Sequence, residues 1–175
     1  ISTGVDSTVL LNLLMNLKEK LNINIVLCHV NHKKRKESET EEAYIRKFAL
    51  ENSLCLEVYH FDSSFDDNEN FQSSARLKRL SFFDSVMDKY HSKYLFLAHH
   101  LNDDIETSVM HIIRGSNLKG YSGIEEVTCN NKGKYILRPL LGVLKDEIYD
   151  YARSNDIIYF EDESNNGDYY TRNRV

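Results

Sequence analysis

Two periodicities alternate along this chain, and that alternation limits its fold more than any single motif does. Short apolar runs such as INIVLCHV (residues 23–30) and LCLEVYHF (54–61) are separated by longer stretches with apolar residues at helical spacing. A strand-length run of this kind is expected in a buried parallel sheet. Parallel neighbours need long crossover connections, and the helical stretches supply them. The chain therefore reads as α/β, a parallel sheet with helices on both faces, built from βαβ units.

The expected order is a helix over Thr8–Leu21, carried by Val9, Leu10, Leu13, Leu14, Leu17 and Leu21, then a strand over Ile23–Val30. A second helix opens at a capping box formed by Ser38 and Glu41. A strand over Leu54–Phe61, a helix over Phe71–Tyr90 and a strand over Tyr94–Ala98 follow. A fourth helix spans Asp103–Arg114 and stops at Gly115. A strand over Tyr135–Arg138, closed by Pro139, and a helix over Lys145–Ser154 complete the order.

Sheets of this class bind ligands beyond the carboxyl ends of their strands. The polar clusters fall there: STGVDS (2–7), HVNHKKR (29–35), HHLNDD (99–104) and RPLL (138–141). In STGVDS a loop of small residues runs straight into a helix. Backbone N–H groups at a helix start attract anions. Gly4 lets the backbone come close, and Ser2, Thr3 and Ser7 add hydroxyls. Asp6 would repel a phosphate unless a Mg2+ ion lay between them. The competing reading is a plain helix cap formed by Asp6 and Ser7. The stretch lacks the Gly-Lys-Ser/Thr ending of a Walker A loop and the spacing of GxGxxG.

Composition narrows the class. The 175 residues suffice for one domain with a core. No apolar run approaches the roughly 18 residues of a membrane span. Cys28, Cys55 and Cys129 lie far apart without a CxxC pair, which argues against a zinc ribbon or disulfide scaffold and fits a reducing cytoplasm. The net charge of −5 assigns any nucleic-acid contact to local patches or to parts outside this sequence. The chain starts without Met and ends on RNRV, and is expected to be a fragment of something longer.

STGVDS resembles the SGGxDS pyrophosphate loop of the N-type ATP pyrophosphatases, the PP-loop superfamily. Other segments resemble one branch of it, the tRNA(Ile)-lysidine synthetases. They are HVNHKKRKESETEEAYIRKFA, NFQSSARLKRLSFF, AHHLNDDIETSVMHIIRGSNLKGYSGI, RPLL with KDEIYDYA, and EDESNNGDYYTRNRV. The likeness runs in order along nearly the whole chain. It implies an adenine nucleotide alpha hydrolase-like fold with its first strand truncated just before Ile1. Residues 1–175 would form a single catalytic domain without the C-terminal tRNA-binding domains.

The resemblance implies a cytoplasmic ligase. ATP would adenylate the C2 oxygen of the wobble cytidine in a CAU-anticodon isoleucine tRNA. Free L-lysine would then displace AMP to give lysidine. Nucleotide contacts would come from Ser2, Thr3, Gly4, Val5, Asp6, Ser7, His29, Val30, Asn31, His100, Arg114 and Gly115, with Mg2+ on Asp6. Asp103 and Glu106, a helical turn apart, would hold and deprotonate the lysine ammonium. Arg76, Arg172 and Arg174 would face the substrates. A homodimer is one option for the assembly.

Each of these residues has a plainer role open to it. Asp103 and Glu106 can simply complement a helix dipole. Arg76, with Lys78 and Arg79, can form a solvated face, and Lys33–Lys36 a solvated loop or a tRNA-phosphate contact. His29, His32, His99 and His100 with Asp103 and Asp104 suggest metal ligands, hence a metal-dependent phosphohydrolase as the alternative. A non-catalytic ATP-binding module is the other. Thr3 replaces the second Gly of SGGxDS, and its β-branched side chain predicts a differently shaped loop. Asp104 stands where the family has Gln, and Asn117 where it has Gly. The cysteine pattern argues against sulfur transfer.

Overall fold

The computed structural model describes residues 1–32, 37–61, 70–113, 115 and 123–161. Their elements run α1 (Val5–Leu21), β1 (Val26–Asn31), α2 (Glu37–Glu51), β2 (Cys55–His60), α3 (Asn70–Lys89), β3 (Tyr94–Phe96), α4 (Leu101–Ile113), β4 (Val127–Cys129), β5 (Tyr135–Leu137) and α5 (Lys145–Ser154). The α/β alternation is borne out. The described residues fall into two compact units, Ile1–Thr3 with Leu13–Lys93, and Gly4–Asn12 with the described part of Tyr94–Val175.

In the first unit β1 and β2 pair in parallel, from Val26 beside Cys55 to Asn31 beside His60. Helix α2 makes the crossover and packs on both strands, while α3 packs on β1. Leu27, Ile45, Ala49, Phe61, Phe83, Val86 and Met87 form the core. Burial alternates along β1 rather than covering both faces: Leu27, His29 and Asn31 are buried and their neighbours half-buried. Ile1 lies along the edge of β1 opposite β2, where its nitrogen donates to the Cys28 carbonyl.

In the second unit β3 and β5 are parallel, and β4 pairs antiparallel with β5. The expected sheet was wholly parallel, so β4 is a correction. Its three residues are too short to show a pattern. A turn closed by Gly133 N–H to the Asn130 carbonyl at 3.0 Å returns the chain into β5. Val5, Val9, Leu10, Leu11, Leu140, Ile148 and Ala152 form this unit's core. Helix α5 matches its expected bounds, and Ile148 and Ala152, one turn apart, are its buried stripe.

Helix starts move from their expected places for identifiable reasons. In α1 the Thr8 N–H, Thr8 Oγ1 and Ser7 Oγ all donate to the Gly4 carbonyl, at 3.1, 2.8 and 3.0 Å, so the ladder begins at Gly4 rather than Thr8. In α2 the first helical residue is Glu37, which places Ser38 inside the helix, so the Ser38–Glu41 capping box does not form. No helix among the described residues is long and apolar enough to cross a membrane.

Candidate active site

The loop before α1 holds its strained position at Thr3. Its φ is +65°, the left-handed region that β-branched residues disfavour. The β-branched Thr3 itself therefore carries the cost of this conformation. The residue is 1% exposed. Its hydroxyl lies 2.5 Å from the Ser2 carbonyl and 3.3 Å from Glu41 Oε2, with one proton to give to either. Val5 is buried, so only its backbone can meet a ligand. Ser7 spends its hydroxyl proton on the Gly4 carbonyl. That bond donates to a carbonyl from inside α1, so it is not the helix cap expected of Ser7.

Asp6 is held by side chains rather than by a backbone cap bond among the contacts seen. Lys145 Nζ, at the start of α5, donates to Asp6 Oδ1 at 2.6 Å. His100 Nε2 lies 3.8 Å from the same oxygen and 3.5 Å from Asp103 Oδ2. Asp103 Oδ2 also accepts the His100 N–H at 3.1 Å, tying the carboxylate back to the residue before α4. Lys145 N–H donates to Asn102 Oδ1 at 3.1 Å. The N-termini of α1, α4 and α5 therefore meet around Asp6, with the positive ends of three helices in one place. His100 is buried, and its Nδ1 has no hydrogen-bond partner among the described residues. Lys145 was missed by sequence reasoning. A lysine at a helix start carries no signal until its partner, 139 positions away, is known.

In the first unit the expected base-binding residues close β1. His29 is 3% exposed and its Nδ1 lies 3.0 Å from the Ile1 carbonyl, which fixes the proton on that nitrogen. Burial pushes its pKa down, and the Ile1 carbonyl only partly offsets this, so the ring is neutral. Asn31 Nδ2 donates to Glu42 Oε2 at 2.7 Å and to the Ser38 carbonyl at 3.3 Å. The Asn31 carbonyl accepts from Phe61 N–H toward β2, whereas the Cys28 carbonyl faces Ile1. By the alternation of strand groups, the Val30 backbone also faces the Ile1 edge. His29 and Asn31 are thus structural through their side chains, leaving Val30 to offer backbone groups.

A PP-loop domain model, named for ATP binding, matches residues 1–175. The chain belongs to the PP-loop family. It is 41% identical over 175 residues to the tRNA(Ile)-lysidine synthase of Streptococcus equi subsp. equi, and 36% identical over 178 residues to that of Enterococcus faecalis. The chain spans 38% and 37% of the length of these curated relatives, and both alignments take in all of it. A solved structure, the U34-tRNA thiolase NcsA from Methanococcus maripaludis with its 4Fe-4S cluster, superposes with a TM-score of 0.75 at 21% identity. That match covers 92% of this chain and 56% of the thiolase, and it supports the adenine nucleotide alpha hydrolase-like fold.

Within this PP-loop domain the other expected site residues divide. Glu106 is half-buried on the same face of α4 as Asp103. Arg76 is exposed on α3, as a solvated cation would be. Asp104 Oδ1 accepts the Ile124 N–H at 2.5 Å, so this replaced glutamine anchors backbone. Gly123 is required beside it: its φ is +63°, and a Cβ there would sit 2.4 Å from Asp104 Oδ1. Gly115 ends α4 at φ +66°, as expected of a stop residue. Arg114, Asn117, Arg172, Arg174 and the 33–36 loop lie outside the described residues.

The donors near Asp6 bear on Mg2+. Among the described residues no three His, Cys, Asp or Glu side chains are gathered as a ligand set. A single carboxylate, Asp6, suits a cation that takes most of its oxygens from phosphate and water, as Mg2+ does. The four-histidine site imagined for a phosphohydrolase is not assembled. His29 turns to Ile1, His32 stacks on Phe61 at 4.8 Å, and His99 Nδ1 accepts from Arg138 Nε at 3.3 Å. Cys129 sits at the end of β4 rather than in a loop, and burial pushes the Cys28 thiol up, away from nucleophilic use.

Proposed function

We propose that this chain is the catalytic domain of an ATP-dependent ligase that makes lysidine at the wobble cytidine of a CAU-anticodon isoleucine tRNA. The observation that carries the reading is the cluster of Asp6, His100, Asp103 and Lys145 at three helix N-termini, in a PP-loop domain whose relatives are named for that reaction. Treating residues 1–175 as one cytoplasmic catalytic domain is part of the proposal.

In the first step the cytidine C2 oxygen attacks the α-phosphorus and pyrophosphate leaves. Loop amides from Thr3 to Ser7 and the three helix dipoles stabilise that leaving charge. Mg2+, held by Asp6 when bound, would screen the polyphosphate. The Val30 backbone is assigned to the adenine, and Arg114 and Gly115 are further candidates for nucleotide contact. In the second step the lysine ε-nitrogen attacks C2 and AMP leaves. Asp103 and Glu106 bind the ammonium, and one of them takes the proton. Arg76, Arg172 and Arg174 steady tRNA and the α-phosphate.

The test is product analysis with the natural full-length protein carrying this sequence. Multiple turnover of ATP to AMP and pyrophosphate should require the tRNA and lysine together. ADP and phosphate as products, or phosphoester hydrolysis without tRNA, would contradict the proposal. Asp103→Asn should retain ATP binding and lose most turnover, whereas a non-catalytic binding module would be indifferent to it.

A further inference from the structure

We infer that Lys145 is a polyphosphate-binding residue that rests on Asp6 and transfers its ammonium to the β- or γ-phosphate when nucleotide arrives. This rests on the nucleotide reading above. A cation on the first residue of a helix is disfavoured by the dipole, so its placement calls for a nearby negative partner. Asp6 is the partner seen, at 2.6 Å. Both side chains are 27% exposed, so the pair is open to a ligand. The Lys145 ammonium also lies 5.2 Å from the centre of the Tyr149 ring, which guides the end of an otherwise flexible stem.

The pair answers the charge problem that Asp6 poses beside a phosphate loop. Without metal, Lys145 neutralises Asp6. With Asp6 occupied by Mg2+, the ammonium would be released toward the polyphosphate, the strongest anion the bound site would hold. Lys145 then reads the polyphosphate and not the base.

The test is titration calorimetry with the natural full-length protein, using ATP, pyrophosphate and AMP in EDTA and again with Mg2+. Wild type, Asp6→Asn, Lys145→Met, the Asp6→Asn/Lys145→Met double variant and its Asp6→Asn/Lys145→Arg counterpart are compared. The double variant should bind ATP and pyrophosphate roughly 10- to 100-fold more weakly than Asp6→Asn, with AMP affinity unchanged. The Asp6→Asn/Lys145→Arg variant should recover most of that loss. Equal pyrophosphate binding by Asp6→Asn and the double variant would overturn the inference, because Lys145 would then serve only to neutralise Asp6. Loss of AMP binding in the double variant would overturn it too. If wild type binds none of the three ligands, the nucleotide reading itself falls, a result distinct from either of these.

Discussion

A single substituted glycine sets the local energetics of the loop. Thr3 occupies φ +65° while fully buried. A left-handed conformation costs an L-residue about 1–2 kcal/mol. Thr3→Gly and Thr3→Val both remove the hydroxyl that faces Ser2 and Glu41, but only glycine removes the strain. Thr3→Gly should therefore be more stable than Thr3→Val by about 1–2 kcal/mol in urea unfolding. Gly123→Ala meets both a left-handed backbone and the Asp104 carboxylate, so it should destabilise by about 2 kcal/mol or more. Asp6, His100 and Asp103 were legible as sequence because their types and order form motifs. Thr3 was legible as a departure from the motif, and its positive φ and burial came only with the structure. Lys145 was illegible because its meaning depends on a contact across the chain.

Between elements, Glu42 is the joint of the first unit. From α2 it accepts Asn31 Nδ2 of β1 at 2.7 Å and lies 2.7 Å from His60 Nε2 of β2, while Arg46 donates at 2.8 Å. Burial alone would push its carboxyl up, but these hydrogen bonds hold it down at about 2. A depressed carboxyl stabilises the fold fully above its ordinary value of 4.5 and loses that contribution as the pH falls toward 2. Glu42→Gln should cost about 1–3 kcal/mol at pH 7, because it strands polar partners. The deficit against wild type should stay level down to about pH 4.5 and shrink below it, as read by urea midpoints across pH. Long elements were legible from periodicity, and α5 matches its expected bounds. β4 was not, because three residues carry no period. The Asn-Asn-Lys-Gly run after it was the available turn signal. The capping-box prediction failed because the same four residues recur within a helix as readily as at its start.

At the scale of the molecule, α/β alternation and strand-end polar clusters pointed to a parallel-sheet fold with a ligand site beyond its strand ends, and the nucleotide reading came from the motifs' resemblance to a known family. Specificity came from several motifs in order, since the loop alone also fits a helix cap. Under the proposed function, a net charge of −5 leaves little of the tRNA affinity to this chain's overall electrostatics. Restoring the length that relatives have should therefore tighten tRNA binding well beyond that of residues 1–175, measured by filter binding at fixed salt. The central claim is the chemistry, and mass spectrometry of nucleosides tests it most directly. CAU-anticodon isoleucine tRNA is incubated with the natural full-length protein, Mg·ATP and lysine, then digested. A lysidine nucleoside that carries isotope from labelled lysine is expected, nearly absent with Asp103→Asn. Unmodified cytidine from a folded protein that binds ATP, lysine and the tRNA would contradict the claim.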